Sequence, residues 1–132
     1  MKLAAAVAAT LLVGSVLVGC SDDKPAVCDS VDNLNTSVED VKSIDVTSPG
    51  AVSDLESGLT AIKNDLAAVK TDAKSQYATQ VDAVDSAFTT LTTSADAAKA
   101  SPTQATLAAA AAAAKAFTTA VQTLSDDVKS TC

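Results

Sequence analysis

Residues 51–100 read AVSDLESGLTAIKNDLAAVKTDAKSQYATQVDAVDSAFTTLTTSADAAKA, fifty residues with one glycine and no proline. Apolar side chains recur every three or four positions, which places them on one face of an α-helix. The stripe is narrow, near two positions in seven, and is typical of a coiled-coil seam. Its members are Val52, Leu55, Leu59, Ile62, Leu66, Val69, Ala73, Tyr77, Val81, Val84, Phe88, Leu91, Ala95 and Ala98.

The simplest interpretation is one continuous helix of about 50 residues, about 75 Å long at the usual rise per residue. The stripe advances by successive four-residue steps through Ala73, Tyr77 and Val81. Such steps are typical of a stutter, a local change in supercoil within an unbroken helix. The competing interpretation is a turn hidden within residues 74–78.

Two shorter helices flank this stretch. The first carries Val31, Leu34, Val38 and Val41, and the third carries Leu107, Ala110, Ala114, Phe117, Val121, Leu124 and Val128. Ser48 before Pro49 predicts the start of the middle helix, and Ser101 with Gln104 predicts a capping box. Residues 108–114 are all alanine, which predicts either a close-approach helix interface or simply a stable helix.

The N-terminus has the pattern of an export signal. Lys2 precedes an apolar run from Leu3 to Val18, too short for a comfortable membrane span. The run ends in Leu17-Val18-Gly19-Cys20, which resembles the lipobox of bacterial lipoproteins. The resemblance implies a signal peptide at 1–19 and acyl chains on Cys20 that anchor the exported chain to the bacterial cell membrane on its extracytoplasmic side. The polar residues that follow predict a lipidated tether at 20–27, and the helical pattern predicts a helical domain at 28–132.

If Cys20 is lipidated, Cys28 and Cys132 are the two remaining cysteines. An exported compartment permits disulfides, so we expect an intramolecular Cys28–Cys132 bridge; the alternative is free or intermolecular thiols.

The bridge requires the two α-carbons to lie within about 7 Å of each other, and two all-α layouts satisfy this. The first, which we favour, is an elongated antiparallel coiled coil: a long central helix is flanked by two shorter antiparallel helices, and the cysteines meet opposite its middle. The alternative is an up-down-up-down four-helix bundle, in which the middle helix breaks near Lys74 and both cysteines lie at one end.

Composition excludes several classes of function. Sixteen Asp and Glu outnumber nine basic residues, all lysine, which argues against nucleic-acid binding. Histidine is absent, which removes the commonest general base and metal ligand, so we expect no catalytic residue, metal or cofactor. The adjacent carboxylates Asp22-Asp23, Glu39-Asp40 and Asp126-Asp127 are expected to be solvated rather than paired in one cleft.

These features predict a membrane-anchored lipoprotein that acts as a helical structural or protein-interaction module in the cell envelope, without catalysis. Its expected partners are the membrane, through Cys20, and an envelope protein or a second copy of the chain. The alternative is a helical-bundle protein that binds a lipid or another apolar ligand. A turn at 74–78 would permit the enclosed core that this alternative needs.

Overall fold

The computed structural model describes residues 24–45 and 47–132. Four α-helices account for most of this part of the chain: α1 (Ala26–Lys42), α2 (Ala51–Asp72), α3 (Ala78–Ala100) and α4 (Gln104–Lys129). A single 3-10 turn, Ser75–Tyr77, lies between α2 and α3. The described residues contain no strand, so the predicted all-α, antiparallel helical fold is confirmed.

The expected continuous central helix is wrong. Ala73 and Lys74 are extended, with ψ of 129° and 169°, and the chain reverses through the 3-10 turn. Neither proline nor glycine causes this break. The reversal instead lets α3 pack into the same bundle as α2, so that four apolar stripes share one core, and it buries the Tyr77 ring, which is 5% exposed. Tertiary packing therefore outweighs the local preference for an unbroken helix.

The alternative layout is the one that forms. Lys70 pairs with Asp85 at 2.7 Å and Glu56 pairs with Lys99, so α2 and α3 run antiparallel to each other. The α1–α2 and α3–α4 pairs are the two most extensive helix contacts, and α1 also packs along α4. The diagonal pairs, α1 with α3 and α2 with α4, make no close backbone contact in the described part of the chain. The helices thus form an up-down-up-down bundle.

The core consists of aliphatic side chains from all four helices, with few aromatic rings. The rings of Phe88 and Phe117 pack with centroids 5.7 Å apart. Nine of its large side chains are at most 2% exposed: Val31, Leu34, Ile62, Val69, Val84, Phe117, Val121, Leu124 and Val128. All of them belong to the predicted stripes, which confirms the helical periodicity as a guide to burial.

Two helix starts lie two residues later than predicted. Gly50, at φ 94°, precedes the first residue of α2, and the carbonyl of Ser48 instead accepts a turn hydrogen bond from Ala51 N. Thr103 replaces Ser101 as the cap of α4. The Thr106 amide donates to the Thr103 hydroxyl at 3.2 Å, and the Thr103 amide donates to the Thr106 hydroxyl at 2.9 Å. A threonine pair therefore makes the reciprocal cap that Gln104 was expected to complete.

Gly58 lies where α2 is in close contact with the end of α1. A β-carbon added at this position would overlap Cγ2 of Val41, whose branched side chain has little rotamer freedom in a helix. Alanine normally stabilises a helix by up to about 1 kcal/mol relative to glycine. Here we expect Gly58→Ala to destabilise the protein instead, by about 1 kcal/mol, since overpacking costs about 1–3 kcal/mol.

Chemical denaturation of Gly58→Ala in two backgrounds checks this prediction. In Val41→Ala protein the overlap is absent, and the same substitution should stabilise the fold by up to about 1 kcal/mol. An effect of the same sign in both backgrounds would show that α1 and α2 are not in close contact at this point.

Candidate functional site

The disulfide end of the bundle holds the largest group of sequence-predicted site residues. Cys28 lies in the first turn of α1, 2% exposed, and Cys132 follows the end of α4. The two are disulfide-bonded, with α-carbons 6.1 Å apart, and they are separated by 104 positions in sequence. The bond joins the first and last helices at one end, as expected for the four-helix layout and not opposite the middle of a long helix.

Polar side chains connect neighbouring helices around this bond. Asn35 donates to Ser125 Oγ at 3.1 Å across α1 and α4, and Gln80 donates to Asp127 at 2.9 Å across α3 and α4. Further contacts join Ser30 to Asp72, Ser37 to Asp65 and the Tyr77 hydroxyl to Thr131. The helical periodicity of the sequence did not predict these pairs. It locates the borders of the apolar stripe on each helix, but not which two helices place their borders side by side.

Lys24, just before α1, is held against that helix. Its ammonium group lies 2.9 Å from Asp29 and 3.2 Å from Asp32. The hydrogen bonds to Asp29 and then Asp32 raise the pKa of Lys24. In the α1–α2 loop, the Thr47 hydroxyl, followed by the Thr47 amide, lowers the pKa of Asp45. Both groups lie at the surface, so these pKa shifts reflect local turn geometry and do not mark a cleft.

Neither adjacent carboxylate pair, in α1 or in α4, forms a buried cleft, although Glu39 and Asp126 border the same open groove between these helices. Asp126 lies 3.4 Å from Lys129 on the exposed surface, whereas Asp127 accepts the hydrogen bond from Gln80. Glu39 pairs with Lys42 of its own helix at 3.0 Å. Among residues 24–45 and 47–132, no cluster of three or more acidic or cysteine side chains could hold a metal ion. The arrangement of these carboxylates is that of a solvated acidic surface.

Two surface depressions lie between helices, and both are open to solvent. One, of about 390 Å³, borders the break between α2 and α3 and is lined by residues that include Lys70, Lys74 and Asp82. The other, of about 380 Å³, follows the α1–α4 groove past Asn35 and Ser125.

The alanine run in α4 is mostly on the surface. Ala113 is buried and Ala110 half-buried, while the other five alanines are exposed. Leu107, one turn earlier, is 54% exposed. From Gln104 to Ser125 this helix contains no acidic residue and one lysine, Lys115. In a chain of net charge −7, α4 therefore presents an uncharged face far from the disulfide.

The predicted signal peptide, residues 1–19, and the predicted acylation site, Cys20, lie outside the described residues. None of the four described helices combines the length and the hydropathy needed to cross a bilayer. Comparison of the chain with protein-family models, curated proteins and solved structures gives no significant match.

Proposed function

We propose that this chain is an exported lipoprotein, anchored through acyl chains on Cys20, whose helical bundle acts as a non-catalytic interaction module at the cell envelope. Two or more acyl chains are enough for stable anchoring, so the bundle needs no membrane-binding surface of its own. The partner would be an envelope protein or a second copy of the chain.

The observation that carries this proposal is the position of the first residue of α1. The first helix begins at Ala26, six residues after Cys20, and at the same end of the bundle as the disulfide. Six extended residues span at most about 20–22 Å. The anchor would therefore hold the disulfide end near the membrane and direct the other end away from it.

The disulfide and the surface charge are both consistent with this placement. Disulfides persist in oxidising, extracytoplasmic compartments. An acidic bundle is repelled by anionic headgroups, so it would stand away from the bilayer on its tether rather than lie flat. The 26-residue α4, about 39 Å long, would then carry its uncharged face to the membrane-distal end, where a protein partner could reach it.

Metabolic labelling with an alkyne fatty acid in a bacterial host tests the anchor. We expect the unaltered chain and the neighbouring control Ser21→Ala to incorporate the label, and Cys20→Ala to lose it completely. The lipobox pattern requires the cysteine but not the serine that follows it. Equal labelling of Cys20→Ala and the unaltered chain, or no labelling of either, would contradict the proposal.

The second candidate function is binding of a lipid or another apolar ligand within the bundle. The break at Ala73–Tyr77 favours it, because four helices rather than two can enclose a ligand. Native mass spectrometry of the purified protein separates the candidates. A ligand bound at about one per chain would support this function, while ligand-free protein would leave the interaction module as the function.

A further inference from the structure

We propose that the end of the bundle farthest from the disulfide opens as a separate unit while the rest of the protein stays folded. This unit, the α3–α4 tip, comprises residues 91–113: the end of α3, the connecting loop and the beginning of α4. Proteins often open in such sub-global units, whose stability follows their local burial and contacts.

The α3–α4 tip has fewer neighbouring helices than the rest of the bundle. The disulfide pairs Cys28 with Cys132, and seven residues away along each helix Asn35 pairs with Ser125. Continuing this antiparallel register places Lys42, the last residue of α1, beside Thr118. Residues 104–117 therefore extend past the end of α1, and α2 lies on the diagonal from α4. Over this length, among the described helices, only α3 lies beside α4.

The burial of apolar side chains along α4 also decreases from the disulfide end towards the tip. Towards the disulfide, Phe117, Val121, Leu124 and Val128 are at most 2% exposed. Within the tip, the buried residues are Leu91 and Ala113, each 7% exposed, and Leu107 is largely in solvent. Alanine is the best helix former, which explains why the start of α4 is helical although it buries little apolar surface.

Polar contacts between helices are distributed in the same way. Within the described residues, the tip makes a single polar side-chain contact with a helix outside it, the Lys99–Glu56 ion pair. Both partners of that pair are more than half exposed, and exposed ion pairs contribute little stability. The remaining interhelical pairs, from Ser37–Asp65 to Tyr77–Thr131, lie nearer the disulfide. Opening the tip would expose Leu91 and one side of the Phe88–Phe117 pair.

Amide hydrogen exchange of the disulfide-closed protein, read by mass spectrometry, tests this inference. After correction for intrinsic rates, we expect residues 106–113 to exchange at least about tenfold faster than residues 119–128 of the same helix. Equal protection along α4 would overturn the inference.

A pair of variants adds a second readout. Leu124→Ala removes a fully buried side chain of α4 outside the tip. It should raise exchange of residues 119–128 about tenfold or more and leave residues 106–113 unchanged, because the tip opens while this part of the helix stays folded. Thr123→Ala, on the exposed side of the same helix, should change neither segment. If Leu124→Ala accelerated both segments of α4 equally, the helix would open as one unit and the proposal would be wrong.

Discussion

Replacing Cys28 and Cys132 together by alanine should lower the free energy of unfolding by about 4–5 kcal/mol, the loop-entropy value for a closed loop of about 100 residues. The native bond spans 104 positions and connects the first and last helices, so nearly the whole bundle lies within the loop. Small domains are stable by only about 5–15 kcal/mol in total. Losing this bond therefore removes a large fraction of the stability.

Urea denaturation of the oxidised protein and of the double variant measures this difference. Reducing agent provides the control: it should weaken the unaltered protein to about the level of the double variant and leave the double variant unchanged. A difference below about 1 kcal/mol would indicate that the unfolded chain is not constrained by the bond as the loop model requires.

Phe117→Ala should have the largest effect of any single substitution in the core, a loss of about 3–5 kcal/mol. The ring is 2% exposed and packs on Phe88, one of few aromatic contacts in a core made mostly of aliphatic side chains. Alanine would remove both the buried ring surface and its contact partner. A cavity would remain, because the surrounding helices can close only partly around it.

Leu107→Ala is the matched control for this substitution. It also truncates a large apolar side chain of α4, but Leu107 is 54% exposed, so the expected change is within about 0.5 kcal/mol. The comparison requires the same denaturant series for both variants. Similar losses for the two substitutions would show that the assigned inner and outer faces of α4 are wrong.

Helical periodicity was a reliable guide wherever a neighbouring helix covers the stripe. Val31, Leu34, Ile62 and Leu124 were placed in the stripes and are buried. The stripe failed at Val52 and Leu107, which are both 54% exposed, and at Ala114, which is also exposed. All three lie towards the bundle end opposite the disulfide, beyond the end of α1. A sequence period gives the apolar face of a helix but not how far its partners extend along it.

The sequence pattern at the break between α2 and α3 was visible but ambiguous. The four-residue steps through Ala73, Tyr77 and Val81 suit both a stutter and a reversal. Whether the chain continues as a helix or reverses depends on the apolar surface that is buried when four helices share a core. That burial involves residues far apart in sequence, so local patterns do not reveal it. The Cys28–Cys132 pairing was accessible to prediction because these are the two cysteines that remain once Cys20 is assigned to lipidation.

The disulfide end and the predicted anchor have complementary roles in the proposed function. The bond fixes the two chain ends of the bundle together, and the short tether before Ala26 would place that end at the membrane. The less supported α3–α4 tip would then lie about 40 Å farther out, as judged from the length of α4. Stability near the anchor and local opening away from it suit a module that meets its partner at the outer end.

Mass spectrometry of the intact protein extracted from its own membrane with detergent tests the proposed anchor most directly. We expect a chain that begins at Cys20, is two hydrogens lighter for the disulfide and is heavier by a diacylglyceryl group, with or without a third acyl chain on the amine. A mature chain that starts at another residue, or that carries no lipid on Cys20, would contradict the lipoprotein assignment.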